Sequence, residues 1–388
     1  MSFVWDMPTR VLFGAGKLND LANEDLPGNK AMIVISNGKS ARENGGLDRL
    51  ETILKERNIE YVIFDKVMSN PVEAIMMEGI ELGRREKVDF LIGLGGGSVL
   101  DSTTVIAAMV PQRSGRVWDY INGGTGGGKA LEEKSLPYVE ITTTAGTGSE
   151  VDAWGVVSNP ETEEKIGFKG AFPTLSVIDP ELMLSVPQDV TRFTGFDALL
   201  QVLEGYIANT RGECGQMVQL AAIGNIAQFL PVAIENGEDL DARTKLAYAN
   251  MMSGLSMVFG SCTSEHAIEH ALSAKHPDLP HGAGLIMICE EYFRYFIENH
   301  ACDDRFLEMA LALGQINIRK PMDFLRALKR VKDECGVSDL KMSDYGITFE
   351  ELPEIAKQAR LTMGGLFACD PVELPEEAVL EILEGSYM

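Results

Sequence analysis

Histidine is scarce in this chain, with five residues in 388. Cysteine occurs six times and never as a C-x-x-C pair. Cys214, Cys262, Cys289, Cys302, Cys335 and Cys369 are scattered, which excludes a zinc knuckle or a disulfide framework and fits a reducing compartment. No window approaches about 18 consecutive apolar residues, and the opening MSFVWDMPTR lacks the basic-then-apolar pattern of a secretory leader. Runs of Lys and Arg are also missing: 34 basic against 58 acidic residues leave a formal charge of −24, which argues against nucleic acid and anionic membranes as partners. What remains is 45% apolar and 24% charged, the balance of a soluble globular protein with the cytoplasm as its expected location. A chain of 388 residues exceeds what one hydrophobic core usually serves, so two domains are expected.

The two halves are patterned differently. KAMIVIS (30–36), EYVIFD (60–65) and VDFLIGL (88–94) read as strands, alternating with helix-like SARENGGLDRLETILKERN, VEAIMMEGIELGRREK and VLDSTTVIAAMV. Strands separated by helices at this spacing imply right-handed crossovers and a parallel sheet covered on both faces. Residues 1–185 are therefore expected to form an α/β nucleotide-binding domain. From residue 186 to 388 the apolar residues recur at helical spacing with almost no strand alternation, which predicts an all-helical domain.

Three segments carry chemistry. NGGTGGGK (122–129) imitates a phosphate-binding P-loop, but Ala130 stands where a metal-binding hydroxyl belongs, so it reads as a chance match. GLGGGS (93–98) lies between an apolar strand and a helix, as an anion site at a helix N-terminus would, although a tight turn explains it nearly as well. A second donor-rich run, VEITTTAGTGSEV (139–151), shifts the balance towards a dinucleotide lying along one edge of a sheet. Four of the five histidines, His266, His270, His276 and His281, fall in sixteen residues of EHAIEHALSAKHPDLPHGAG. His266 and His270 are one helical turn apart, and such concentration points to a metal. Asp197, in an apolar stretch read as a helix start, is a candidate carboxylate ligand; the alternative is an ordinary N-cap.

Together these segments resemble the iron-containing (group III) alcohol dehydrogenases. The likeness runs nearly end to end, through FGAG (13–16), NP (70–71), GLGGGSVLD (93–101), VWDY (117–120), TTAGTGSEV (143–151), IDPELML (178–184), TGFDALLQVLEGY (194–206) and the histidine window. It implies an α/β N-terminal dinucleotide-binding domain with a parallel, Rossmann-like sheet and an all-α C-terminal domain, a dehydroquinate synthase-like architecture with nicotinamide and metal meeting in the cleft. It further implies metal ligation by Asp197, His266 and His281, with His270 as a catalytic, non-ligand histidine near the substrate. The pyrophosphate would lie on Gly96, Gly97 and Ser98; Asn70, Asp101, Thr143, Thr144, Thr147 and Lys165 would also serve the cofactor. The chemistry implied is hydride transfer between the nicotinamide and a small alcohol or aldehyde. A divalent metal, Fe2+ or Zn2+, polarises the substrate oxygen, and His270, with an ordinary pKa of about 6.5, relays the proton.

Departures from the family pattern sharpen the expectations. The second metal ligand, usually a histidine one turn after the aspartate, is here Gln201, a weaker donor. Thr104 stands where lysine is usual. The turn after the first predicted strand contains Asn37, Gly38, Lys39 and Ser40 and no acid to repel a 2′-phosphate, so NADP(H) is favoured over NAD(H), with Gly38, Lys39 and Ser40 near the adenosine ribose. Trp154, Phe168, Phe259 and Phe367 are candidate pocket walls. A homodimer or larger assembly is expected from the resemblance. The competing functions are a dehydroquinate synthase-like cyclising lyase and a binding module whose catalysis was lost with the histidine at 201.

Overall fold

The computed structural model describes residues 6–387. Two compact units make up the chain. One runs to Asn159 and resumes at Ile166–Val186; the other takes Pro160–Lys165 and everything from Pro187 onward. Pro160–Lys165, which fall inside the stretch expected to form the first domain, cluster with the helices.

In the first unit, β1 (Arg10–Phe13), β2 (Lys30–Ser36), β3 (Glu60–Val67), β4 (Phe90–Gly95), β5 (Tyr138–Thr142) and β8 (Leu175–Ile178) form one sheet in the order β1-β8-β5-β4-β2-β3. Every pairing in it is parallel. A short pair, β6 (Trp154–Asn159) and β7 (Glu164–Lys169), stands apart from that sheet. The helices are α1 (Ser40–Glu43), α2 (Gly46–Glu56), α3 (Glu73–Glu86) and α4 (Gly97–Met109). The segment read as a single helix over 40–58 is broken, because Gly45 adopts φ +73 and restarts the chain as α2. Alternate residues of β2 serve opposite faces: Met32 and Val34 join Met76, Ile80 and Ile106, whereas Ala31, Ile33 and Ile35 join Leu47, Leu50 and Leu54. Burial on both faces is why the strand reads as an unbroken apolar run. Phe168, a candidate pocket wall, is core on the first of these faces.

The order of connection reverses between β2 and β4, which makes the carboxyl end of β4 a topological switch point, where open α/β sheets bind ligands. Gly95 of β4 pairs with Thr142 of β5, so the glycine loop and the threonine loop leave the sheet level with each other.

Nine helices compose the second unit among the described residues: α5 (Gln188–Ile207), α6 (Glu213–Glu235), α7 (Leu240–Phe259), α8 (Ser264–Lys275), α9 (His281–Glu298), α10 (Asp303–Ala312), α11 (Asp323–Cys335), α12 (Leu352–Phe367) and α13 (Glu376–Ser386). From Gly195 to Ile207 α5 is buried all round, as a central helix must be. A Cβ on Gly282 would lie 2.0 Å from the carbonyl oxygen of Phe193, so α9 meets α5 backbone to backbone there. α12 bends at Met363, whose φ and ψ of −127° and 39° leave the helical region. α6 is long and apolar enough by composition to cross a membrane; here it packs against α5 and α7.

Candidate active site

Three helices bring the metal-ligand candidates together. Asp197 sits mid-way along α5, His266 in the first turn of α8, and His281 opens α9. Asp197 is thus no N-cap and no helix-start residue: α5 begins after Pro187, and burial, not capping, governs its environment. One ligand atom from each of the three lies within 4.8 Å of the others. Both Nε2 atoms stand 3.6 Å from Asp197 Oδ1. Each imidazole is gripped from behind: Nδ1 of His266 meets Glu204 and Nδ1 of His281 meets Glu269, two fully buried carboxylates. Donation from Nδ1 to a carboxylate aims each Nε2 at Asp197, where a divalent cation would displace any Nε2 proton and take the lone pair.

Electrostatics favour a cation at this point. Burial opposes a charge on His266, yet the Glu204 and Asp197 carboxylates hold its pKa well above the ordinary value in the metal-free protein. Removing positive charge from this nest is therefore unfavourable, and a metal can take the place of the proton. Cys262 also converges with Glu204 and His266, but burial pushes its thiol up to about 11, so it stays protonated at neutral pH.

Gln201, one turn after Asp197, is buried and donates from Nε2 to Ser253 Oγ at 2.8 Å, so its carboxamide nitrogen is committed to a protein partner. Lys165, implied by the resemblance to serve the cofactor, also touches this cluster. Its Nζ is 2.9 Å from Ser273 Oγ, 3.4 Å from Glu269 Oε2 and 3.4 Å from His281 Nδ1.

In the first unit the two donor-rich loops interlock. Gly96 precedes α4 and Gly97 begins it. A Cβ on Gly96 would come within 2.9 Å of Thr144 Oγ1, and one on Gly97 within 2.4 Å of Thr147 Cγ2. Only glycine lets the threonine loop approach the helix N-terminus this closely, leaving backbone N–H groups available to an anion. Thr143 N donates to Gly95 O at 2.9 Å, and Ser98, Thr144 and Thr147 are partly exposed at the same end. Asp101 is buried one turn deeper, accepting from Ser149 Oγ at 2.9 Å and from Val156 N at 3.1 Å, where it braces the threonine loop.

Similarity to known proteins extends over the whole chain. The profile of the family described as iron-containing alcohol dehydrogenase matches residues 8–180, and that of the Fe-containing alcohol dehydrogenase family, C-terminal, matches residues 191–387. This chain belongs to the iron-containing alcohol dehydrogenase family. Among its relatives, NADH-dependent butanol dehydrogenase A of Clostridium acetobutylicum is 30% identical, with 100% of each chain covered. The 1,3-propanediol dehydrogenase of Citrobacter freundii is also 30% identical, over 93% of this chain and 92% of its own. An archaeal halo-thermophilic alcohol dehydrogenase from a Red Sea brine pool superimposes with a TM-score of 0.94 at 30% identity, covering 100% of this chain and 99% of the other. As a member of this family the chain is a metal-dependent oxidoreductase with a nicotinamide cofactor, and the lyase alternative is not favoured.

For a member of the iron-containing alcohol dehydrogenases, His270 has an unexpected environment. Its ring lies 5.3 Å from that of His281 and 6.4 Å from that of His266, centroid to centroid. Nδ1 is 2.9 Å from the Met363 sulfur at the bend of α12. Burial, with Lys165 and His281 nearby, pushes its pKa well below the ordinary value. His276 ends α8 with Nε2 3.5 Å from Glu351, and exposed His300 pairs with Asp303, both away from the cluster. Gly38, Lys39 and Ser40 are exposed on the turn after β2, and Asn70 precedes Pro71 with φ 49. Thr104 faces Tyr138 and Glu140 inside the sheet domain, with its Oγ1 3.2 Å from Tyr138 OH.

Sequence reasoning missed Glu204 and Glu269. A signal for the first existed: Asp197, Gln201 and Glu204 fall at i, i+4 and i+7, one face of α5. Glu269 has no such signature, being one of 58 acids beside a histidine already noticed for itself.

Proposed function

We propose that this alcohol dehydrogenase holds a divalent cation, Fe2+ or Zn2+, with Asp197, His266 and His281, and with the Gln201 amide oxygen as the weak fourth donor. The observation that carries this is the pair of imidazoles whose Nδ1 atoms are bound by buried Glu204 and Glu269 while both Nε2 atoms converge on Asp197 Oδ1. Such a cation supplies Lewis-acid polarisation of the substrate oxygen. Asp197 offers the negative charge and the two imidazoles the nitrogen donors. His270, adjacent to both rings, is the group we assign to handling the proton released when an alcohol becomes an aldehyde. Its low pKa means it passes the proton on rather than storing it.

The nicotinamide supplies or accepts the hydride. Gly96, Gly97 and Ser98 at the start of α4, with Thr143, Thr144 and Thr147, offer the donors for its pyrophosphate. Asp101 serves the cofactor through the threonine loop it braces. The acid-free turn of Gly38, Lys39 and Ser40 supports NADP(H), whereas the named NADH-dependent relatives give that preference no support. Initial rates with NADPH and NADH at equal concentration decide between them, and a clear NADH preference removes the NADP(H) proposal. The substrate is a small alcohol or aldehyde, as the relatives named for butanol and 1,3-propanediol suggest. A cytoplasmic homodimer or larger assembly completes the proposal, testable by light scattering.

The experiment is metal analysis of protein purified without chelator, combined with aldehyde reduction across a C2 to C6 panel. Stoichiometric metal lost in His266→Ala and His281→Ala, with parallel loss of turnover, is expected. Turnover that persists in both variants refutes the assignment.

A further inference from the structure

A chain of buried hydrogen bonds runs away from the site through groups that touch neither substrate nor the three ligand atoms. Glu204 Oε2 holds His266 Nδ1, and Glu204 Oε1 accepts from Thr263 N at 3.2 Å, Thr263 Oγ1 at 3.1 Å and His266 N at 3.2 Å. Thr263 Oγ1 accepts in turn from Tyr292 OH at 2.8 Å. Beyond that hydroxyl lies Asp370, whose Oδ1, 3.2 Å from Tyr292 OH, is the more distant acceptor for the one Tyr292 proton, and whose two oxygens accept from Ser264 N at 3.0 Å and Ser264 Oγ at 2.8 Å. Thr263, Tyr292 and Glu204 are 0% exposed and Asp370 is 4% exposed, so no solvent competes for these bonds.

The directions of donation matter. The Thr263 hydroxyl has one proton. Because it accepts from Tyr292, that proton is turned towards Glu204, completing three donors on one carboxylate oxygen and leaving the other for His266. A carboxylate fixed in this way fixes the imidazole it grips, and ligand orientation sets metal affinity.

We propose that Tyr292 and Asp370 are positioning residues for the metal site, acting on His266 through Thr263 and Glu204. The proposal rests on the assignment of His266 as a metal ligand. Tyr292 occupies the middle of α9 and Asp370 the segment after α12, so elements distant from the ligands in sequence share control of the coordination sphere. The Tyr292 ring makes edge contacts with Phe293 and Phe296, with centroids 5.3 and 5.1 Å away, which hold its hydroxyl in place and remain in a phenylalanine variant.

The test is Co2+ titration of the metal-free full chain by chelator competition, with the visible d–d spectrum of the Co2+ form as a second readout. Wild type, Tyr292→Phe, Thr263→Val, Thr263→Ser and Asp370→Asn are compared. Expected are about tenfold weaker Co2+ binding and an altered d–d band in Tyr292→Phe and Thr263→Val. Thr263→Ser, which keeps the hydroxyl, should retain wild-type affinity and spectrum, and Asp370→Asn should fall between. Thr263→Val keeps the test informative should Tyr292→Phe not fold. Affinity within twofold of wild type and an unchanged spectrum in both variants overturn the relay while leaving the metal assignment standing. Absence of Co2+ binding in wild type overturns the metal assignment itself, and the relay with it.

Discussion

Glu269→Gln removes one charge and no volume from the interior of the helical unit. Lys165 and Glu269 are 5% and 0% exposed, with Nζ 3.4 Å from Oε2. At an effective dielectric constant of about 20, unit charges at that 3.4 Å separation attract by about 5 kcal/mol. Part of this offsets desolvation of the pair, and Ser273 Oγ, 2.9 Å from Nζ, still solvates the ammonium in the variant. The amide oxygen can also still accept from His281 Nδ1. A loss of about 3 kcal/mol is expected for Glu269→Gln, at the lower end of what breaking a buried pair costs. Lys165→Met in the same background removes the stranded cation and should restore about 2 kcal/mol. Urea unfolding of the metal-free protein at pH 7.5, followed by far-ultraviolet circular dichroism, reports on the helices, whereas Trp118 and Trp154 lie in the first unit. A Glu269→Gln midpoint unchanged from wild type, together with strict additivity in the double variant, would show that Lys165 is not held by Glu269 and return it to the cofactor role implied by resemblance.

Three further outcomes follow from the geometry. Gly97→Ala puts a methyl 2.4 Å from Thr147 Cγ2 and should weaken nicotinamide nucleotide binding by about tenfold, measured calorimetrically, because the loops must separate; unchanged affinity would place the pyrophosphate elsewhere. Gln201→His replaces a neutral amide by imidazole and should tighten metal binding by about tenfold, read by chelator competition; equal and full occupancy in both proteins would remove Gln201 from the site. Burial pushes Asp370 up to about 7, so the unfolded chain loses this proton first and stability falls as pH rises from about 4 to 7, by at most about 4 kcal/mol. Asp370→Asn has no proton to lose and should show a flatter profile of urea midpoint against pH; parallel profiles would contradict the shift.

Much of the fold was legible because its signals are local. β2 is bounded as its apolar run predicts, and the histidine pair lies on one helix because four residues make one turn. Errors arose where tertiary context prevails. Thr194-Gly195-Phe196-Asp197 looks like a helix start, but Pro187 had already set φ for α5, and Gly195 is tolerated because Leu230 fills the space beside it. Lys165 was read for the cofactor alone, and its contact with Glu269, 104 positions away, leaves no trace in local spacing. Glu204, Glu269, Thr263 and Tyr292 were anonymous because a buried hydrogen bond joins residues as much as 59 positions apart and leaves no periodicity behind.

The contact between Gly282 and the Phe193 carbonyl sets how closely the backbones of two proposed metal ligands can come together. Asp197 lies one turn beyond Phe193 on α5, and His281 immediately precedes Gly282 on α9. Because main chain rests on main chain there, the backbones that carry Asp197 and His281 cannot approach more closely, and adjustment to the radius of a bound ion falls to the two side chains alone. Any residue larger than glycine at 282 would push the helices apart and reset that span.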